Sequence, residues 1–124
     1  MGTAKKTVLV VDNEPFNVDL VTTILTKGGF VVKSAGSGDE ALKKIKRSKP
    51  DLVLMDLQLP GMDGLEATRT IVSDPETKDV KVVAFSALAM PSDRARALKA
   101  GCVAYITKPV GARQLIDHIN ELLL

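Results

Sequence analysis

A chain of 124 residues holds one domain and leaves little room for a second. Apolar residues make up 45% of it and aromatics only 3%, so it can bury one core, built from Val, Leu, Ile and Ala. Charged residues are 26% and the net charge is +2, a balance that argues against a nucleic-acid module or an acidic-membrane binder, which concentrate positive charge.

The amino-terminal stretch MGTAKKTVLVV meets Asp12 before any apolar run reaches signal-peptide length. No stretch approaches the roughly 20 apolar residues of a membrane span. Val8-Leu9-Val10-Val11 is continuously apolar, as a strand buried on both faces should be. Leu20, Val21, Ile24 and Leu25 then share one helical face, and Gly28-Gly29 ends that helix. A second strand is predicted at 31–34. Ala41, Leu42 and Ile45 mark the second helix, stopped before Pro50, with the basic run Lys43, Lys44, Lys46, Arg47 and Lys49 mostly in water. The third strand, 52–55, is again apolar throughout. Leu65, Ala67, Thr68, Ile71 and Val72 mark a third helix, opened after Asp63-Gly64. A fourth strand is predicted at 82–85, followed by a helix marked by Ala95 and Leu98 and stopped at Gly101. The fifth strand is expected at 103–106 and the fifth helix on the stripe Leu115, Ile119 and Leu122, with His118 as a surface residue. Cys102, the only cysteine, reads as a small buried hydrophobe and permits no internal disulfide, which suits a reducing compartment.

Strict alternation of strand and helix predicts an α/β fold, a parallel sheet covered on both faces. In such a sheet the ligand site lies beyond the carboxyl ends of the strands. Asp12, Asn13 and Glu14 follow strand one, Asp56 ends strand three, Ser86 follows strand four and Lys108-Pro109 follows strand five. Alone, Asp56 reads as a loop cap, Ser86 as a hydroxyl bonding its own backbone, and Lys108 as a solvated lysine. Together at one edge they suit phosphoryl chemistry. Paired carboxylates repel, and magnesium, which prefers oxygen ligands and keeps several waters, relieves the penalty. A carboxylate nucleophile can then form an acyl phosphate, while lysine and hydroxyl groups meet the phosphoryl oxygens.

The segments DLVLMDLQLPGMDGLEATR (51–69), FSALAM (85–90) and AGCVAYITKP (100–109) resemble the three motifs of response-regulator receiver domains of two-component signalling. The resemblance covers essentially the whole chain. The Ala-Leu-Ala-Met loop is similar to that of the single-domain, cell-cycle-regulator type, and receivers fused to hybrid kinases share it. This likeness implies a flavodoxin-like, doubly wound sheet of order 2-1-3-4-5 with five helices, and one receiver domain over 1–124. It implies that Asp56 is the phospho-acceptor, that Asp12 opens the acidic pair, and that Ser86 and Lys108 contact the phosphoryl group. It implies magnesium (or manganese) on Asp12, Asp56 and the main-chain carbonyl of Gln58. Tyr105 matches a switch aromatic that turns inward when Ser86 moves toward the phosphoryl group, and the Lys108–Pro109 bond is expected to be cis. The implied partners are a sensor histidine kinase or histidine phosphotransfer protein and a downstream protein reading the face of helix four, strand five and helix five. Ile116 and Leu123 are expected to give that face an apolar contact. The resemblance implies no enzyme beyond the chain's own phosphoryl transfer and dephosphorylation, no membrane or nucleic-acid partner, and a cytoplasmic, bacterial setting.

One position departs from the family pattern. Asn13 stands where a second acid is expected, and an amide oxygen is a neutral, weaker metal ligand; Glu14 offers a longer arm in compensation. Asn13 therefore keeps open a phosphorylation-independent pseudo-receiver. An aspartate-nucleophile phosphohydrolase would need an acid at Gln58 and a cap domain. A flavin carrier would need a Ser/Thr/Gly-rich loop where the chain has Asp12-Asn13-Glu14-Pro15.

Overall fold

The computed structural model describes residues 5–59 and 61–124; residues 1–4, which begin the stretch read for a leader, and Pro60 of the 51–69 motif lie outside the described residues. Strands β1 (Thr7–Val11), β2 (Val31–Ala35), β3 (Leu52–Met55), β4 (Lys81–Ser86) and β5 (Ala104–Thr107) alternate with helices α1 (Pro15–Lys27), α2 (Gly38–Arg47), α3 (Gly64–Ser73), α4 (Pro91–Ala100) and α5 (Ala112–Leu122). All pairings are parallel and the order is β2-β1-β3-β4-β5, as expected. Among the described residues no helix is long and apolar enough to cross a membrane.

Period-two alternation sorts the strand side chains into two cores. Leu9, Val11, Val53, Met55, Val82 and Ala84 point to one face, where Ala41 and Ile45 of α2, Ala67 and Ile71 of α3 and Ala97 of α4 cover them. Val8, Val10, Leu52, Leu54, Val83 and Phe85 point to the other, beneath Val21 and Leu25 of α1 and Leu115 and Ile119 of α5. Burial on both faces is why β1 and β3 are apolar at consecutive positions.

Three helix faces differ from the sequence reading. Leu20 is 51% exposed, and Val21 and Leu25 alone are fully packed on α1. On α4 the predicted markers Ala95 and Leu98 face solvent; the buried residues are Asp93, Ala97 and Ala100. The cause is distance. A Cβ on Gly101 (φ 118°) would lie 2.7 Å from a methyl of Val72, so the end of α4 abuts α3 and admits only small side chains. Ile116 and Leu123 pack into the second core, and Ile116 reaches to 3.0 Å of where a Gly28 Cβ would stand. Ile116 thus serves the α1 side of α5, and Leu123 the second core. The basic run of α2 and the turn after it is largely a solvated face tied down by ion pairs, with Lys44 on Glu40 (3.0 Å), Lys46 on Asp74 (3.3 Å) and Lys49 on Asp79 (3.0 Å).

Candidate functional site

The sheet pairing runs one residue past the strands where the site begins. The Asp12 amide donates to Ala35 O (3.0 Å), the Asp56 amide to Val11 O (3.0 Å), and the Lys108 amide to Ser86 O (2.9 Å). The backbones of Asp12, Asp56 and Lys108 are thereby fixed by the sheet, and their side chains meet at its carboxyl edge.

Each carboxylate divides its two oxygens in the same way. Asp12 Oδ1 accepts the Glu14 N–H (2.9 Å), a turn that leads into α1 at Pro15, while Oδ2 lies 2.8 Å from Lys108 Nζ. Asp56 Oδ1 accepts the Gln58 N–H (2.9 Å), and its Oδ2 lies 3.5 Å from the same ammonium. Side-chain exposure is 5% for Asp12, 12% for Asp56 and 19% for Lys108, so water does little to screen the trio. Lys108 Nζ also stands 5.0 Å from the Phe85 ring centroid, a cation–π contact that steadies it. Two negative charges and one positive leave the trio one charge short of neutral, which attracts a further cation. The Lys108–Pro109 bond is cis, as expected.

Gly64, a helix opener by its sequence, is also a positioning residue. A Cβ there would lie 2.3 Å from Asp56 O and 2.9 Å from Leu57 Cα. Helix α3 starts so close to the Asp56 backbone that only glycine fits. An Asp-Gly pair signals a turn in sequence, but no local pattern reveals which distant atom it approaches.

Ser86 is fully buried at the end of β4, and its Oγ accepts the Leu88 N–H (3.2 Å). The hydroxyl still has its own proton to donate. Tyr105 is already inward, 8% exposed, and its hydroxyl donates to the Leu88 carbonyl (2.6 Å). Leu88 is thus held at both its amide and its carbonyl, which latches the β4–α4 loop. Arg94 covers the Tyr105 ring at 5.9 Å. Burial raises the Tyr105 hydroxyl above its ordinary pKa of 10.0, and the nearby Asp93 charge pushes the same way. A raised folded pKa means that the neutral hydroxyl's stabilisation is whole below pH 10.0 and is lost as pH rises through the folded value. Tyr105→Phe is expected to lower the unfolding free energy in urea by about 1 kcal/mol at pH 7. The gap between the two proteins should close only in alkali; a gap that already closes near neutrality would dismiss the hydroxyl bond as its source.

Asn13 and Glu14 are exposed, and the Asn13 side chain makes none of the hydrogen bonds of the site. Val11, before Asp12, is buried in the core. β1 therefore contributes one carboxylate, Asp12, and no neutral amide stands in the cluster. Among the described residues no group of three or more His, Cys, Asp or Glu stands together as a metal cage. The metal donors that do converge, the Asp12 and Asp56 carboxylates, are oxygen, and they suit a hard cation that keeps its waters. Elsewhere the modest readings hold. Cys102 is buried, its thiol raised by that burial, with Thr68 Oγ1 at 3.9 Å. His118 is exposed on α5.

The model of the response regulator receiver domain family matches residues 8–120. The chain is 36% identical over 118 residues to the polar-differentiation response regulator DivK of Brucella ovis, covering 95% of this chain and 96% of that one. A crystal structure of a putative response regulator from Chloroflexus aurantiacus superposes with a TM-score of 0.92 at 28% identity, covering 97% and 98% of the two chains. The receiver domain of a Pseudomonas aeruginosa sensor histidine kinase, with a magnesium ion coordinated in its active site cleft, superposes at 0.89 with 30% identity over 97% and 98%. The family match spans nearly the whole of the sheet, helices α1 to α4 and most of α5, and on that ground this protein belongs to the response regulator receiver domain family.

Proposed function

We propose that this chain is the phospho-accepting switch of a two-component or phosphorelay system, with Asp56 taking a phosphoryl group from a sensor histidine kinase or a histidine phosphotransfer protein. The observation that carries the assignment is the convergence of Asp12 and Asp56 on one Lys108 ammonium at the sheet edge. Asp56 Oδ1 is committed to the Gln58 amide, which leaves Oδ2 as the attacking atom. A bond forms from Oδ2 to phosphorus as the bond from phosphorus to the donor histidine nitrogen breaks, and that nitrogen leaves with the electron pair. Lys108, already beside Oδ2, meets the charge on the phosphoryl oxygens without crossing the site. Ser86 donates its hydroxyl proton to one of those oxygens. Asp12, Asp56 and the main-chain carbonyl of Gln58 would hold magnesium, or manganese with the same oxygen preference. When bound, the metal neutralises the acidic pair and the incoming phosphate. The magnesium in the Pseudomonas receiver supports that cofactor.

The output follows from the Leu88 latch. Movement of Ser86 toward a phosphoryl group gives up the Leu88 amide, and Leu88 then keeps the bond from its carbonyl to Tyr105. The change reaches the α4, β5 and α5 face, which a downstream protein reads as a population shift. We place residues 1–124 in one receiver domain working in the cytoplasm, a reducing compartment that suits the unpaired Cys102.

The docking place for the phosphodonor lies next to Lys108. A groove of about 140 Å³ between α1 and the start of α5 is lined by Leu20, Ile24, Lys108, Pro109 and Val110. Leu20, 51% exposed, lines it from α1, and Phe16, 76% exposed, stands one turn before Leu20 on the same helix. An apolar helix face of a histidine donor laid here would bring its imidazole to Asp56. Phe16→Ser with Leu20→Ser is expected to slow transfer from a protein phosphodonor at least about tenfold more than transfer from acetyl phosphate, since burying even one such side chain is worth about 1.5–3 kcal/mol and about 1.4 kcal/mol is a factor of ten. Equal slowing with both donors would move the docking place elsewhere.

Intact mass after incubation with acetyl phosphate and magnesium tests the function itself. One phosphoryl adduct that disappears with chelator is expected. A chain that takes up none from acetyl phosphate or from a histidine kinase is not a phospho-acceptor.

A further inference from the structure

A second charged site lies away from the acidic edge, between α3 and α4. Arg69 of α3 and Arg96 and Lys99 of α4 line one cleft of about 330 Å³, with Ala100 at its wall. That volume is at the lower end of the range for small-molecule pockets. No acid lines it.

The three cations are poorly compensated. Among the described residues neither Arg69 nor Lys99 makes an ion pair, although Glu66 sits one turn ahead of Arg69. Arg96 alone has a partner: its Nη2 lies 2.8 Å from Asp93 Oδ1. This contrasts with the basic run at the end of α2 and just past it, where Lys44, Lys46 and Lys49 each reach a carboxylate. Small residues set the cleft's depth. Ala97, Ala100 and Gly101 bring α4 against α3, and the long side chains must then rise together from the seam. Three like charges held over one hollow repel each other, and an anion between them relieves the repulsion. Two guanidinium groups and an ammonium match a phosphate group, which guanidinium binds in a forked, two-bond geometry.

We propose that this cleft binds a small phosphate-bearing anion, held by Arg69, Arg96 and Lys99. Arg96 gives the site a consequence. Its partner Asp93 is nearly buried, and the other oxygen of that carboxylate accepts the Met90 N–H at the start of α4 (3.1 Å). An anion that draws Arg96 into the cleft takes it from Asp93, at the helix start that follows the Leu88 latch.

The test is a titration of the whole chain with sodium pyrophosphate in magnesium-free buffer, followed by amide NMR. Without metal the Asp12–Asp56 edge repels the probe, so the two regions separate. Saturable shifts are expected at Arg69, Arg96, Lys99 and Ala100, with a second set at Met90 and Asp93. Arg69→Gln with Lys99→Gln, both exposed and both keeping helix propensity, should weaken the apparent affinity about tenfold or more. Shifts reproduced by sodium chloride at matched ionic strength, centred on Lys43 and Arg47 of α2, or unchanged in the double variant would overturn the proposal.

Discussion

Asp56→Asn is expected to take up no phosphoryl group from acetyl phosphate, with magnesium, under conditions where the parent chain takes up one. The amide oxygen can still accept the Gln58 N–H, so the turn after β3 survives. The atom that replaces Oδ2 is an amide nitrogen, which is not a nucleophile toward phosphorus and turns its hydrogens toward Lys108. Stability should change little and in the favourable direction. The parent trio carries two negative charges and one positive; the variant keeps only the Asp12–Lys108 pair, at 2.8 Å. Losing one carboxylate removes the repulsion within the acidic pair and its burial cost. Intact mass and a urea unfolding curve check both halves. An adduct on the variant would show that another residue is the acceptor, and a variant unfolded at pH 7 would show that Asp56 is structural.

Gly64→Ala should cost both stability and phosphorylation, and two opposed effects decide its size. Alanine at the first turn of α3 gains up to about 1 kcal/mol of helix propensity over glycine. Against this, the new Cβ would lie 2.3 Å from Asp56 O and 2.9 Å from Leu57 Cα, both backbone atoms that cannot swing aside. Overpacking of this kind costs about 1–3 kcal/mol, so the clash wins. The relief available is a shift of the Asp56 main chain, which displaces the carboxylate from Lys108 and slows uptake from acetyl phosphate by about tenfold or more, because misplacement on the order of 1 Å is costly to a positioned reaction. Gly29→Ala is the control. Its φ of 95° makes alanine strained, yet nothing lies within 4 Å of the added carbon, so it should lose stability and keep the phosphorylation rate. Equal slowing in the two variants would reduce the Gly64 effect to general destabilisation.

Most of the fold was legible because its signals are local. Buried parallel strands read as unbroken apolar runs at Val8-Leu9-Val10-Val11 and Leu52-Val53-Leu54-Met55, and β3 falls on the predicted residues. The alternation of strand with helix limits the winding, and the residue after each strand end lies at the ligand edge of such a sheet. Asp12, Asp56 and Lys108 could therefore be named from their places in the chain, and the structure brings these three together.

What the sequence by itself determined is the period of each element and the chemistry at each strand end, because both depend on neighbours along the chain. Only the tertiary structure decided which side of α4 is buried, Ala97 and Ala100 rather than Ala95 and Leu98. It also turned Asp12 inward and Asn13 outward, seated Ile116 against α1, laid Tyr105 on Leu88, and pressed Gly64 against Asp56. Each of these outcomes is set by how closely two elements distant in sequence approach. Close-packed interiors choose a side chain by the space its neighbours leave, and that space does not exist until the chain has folded.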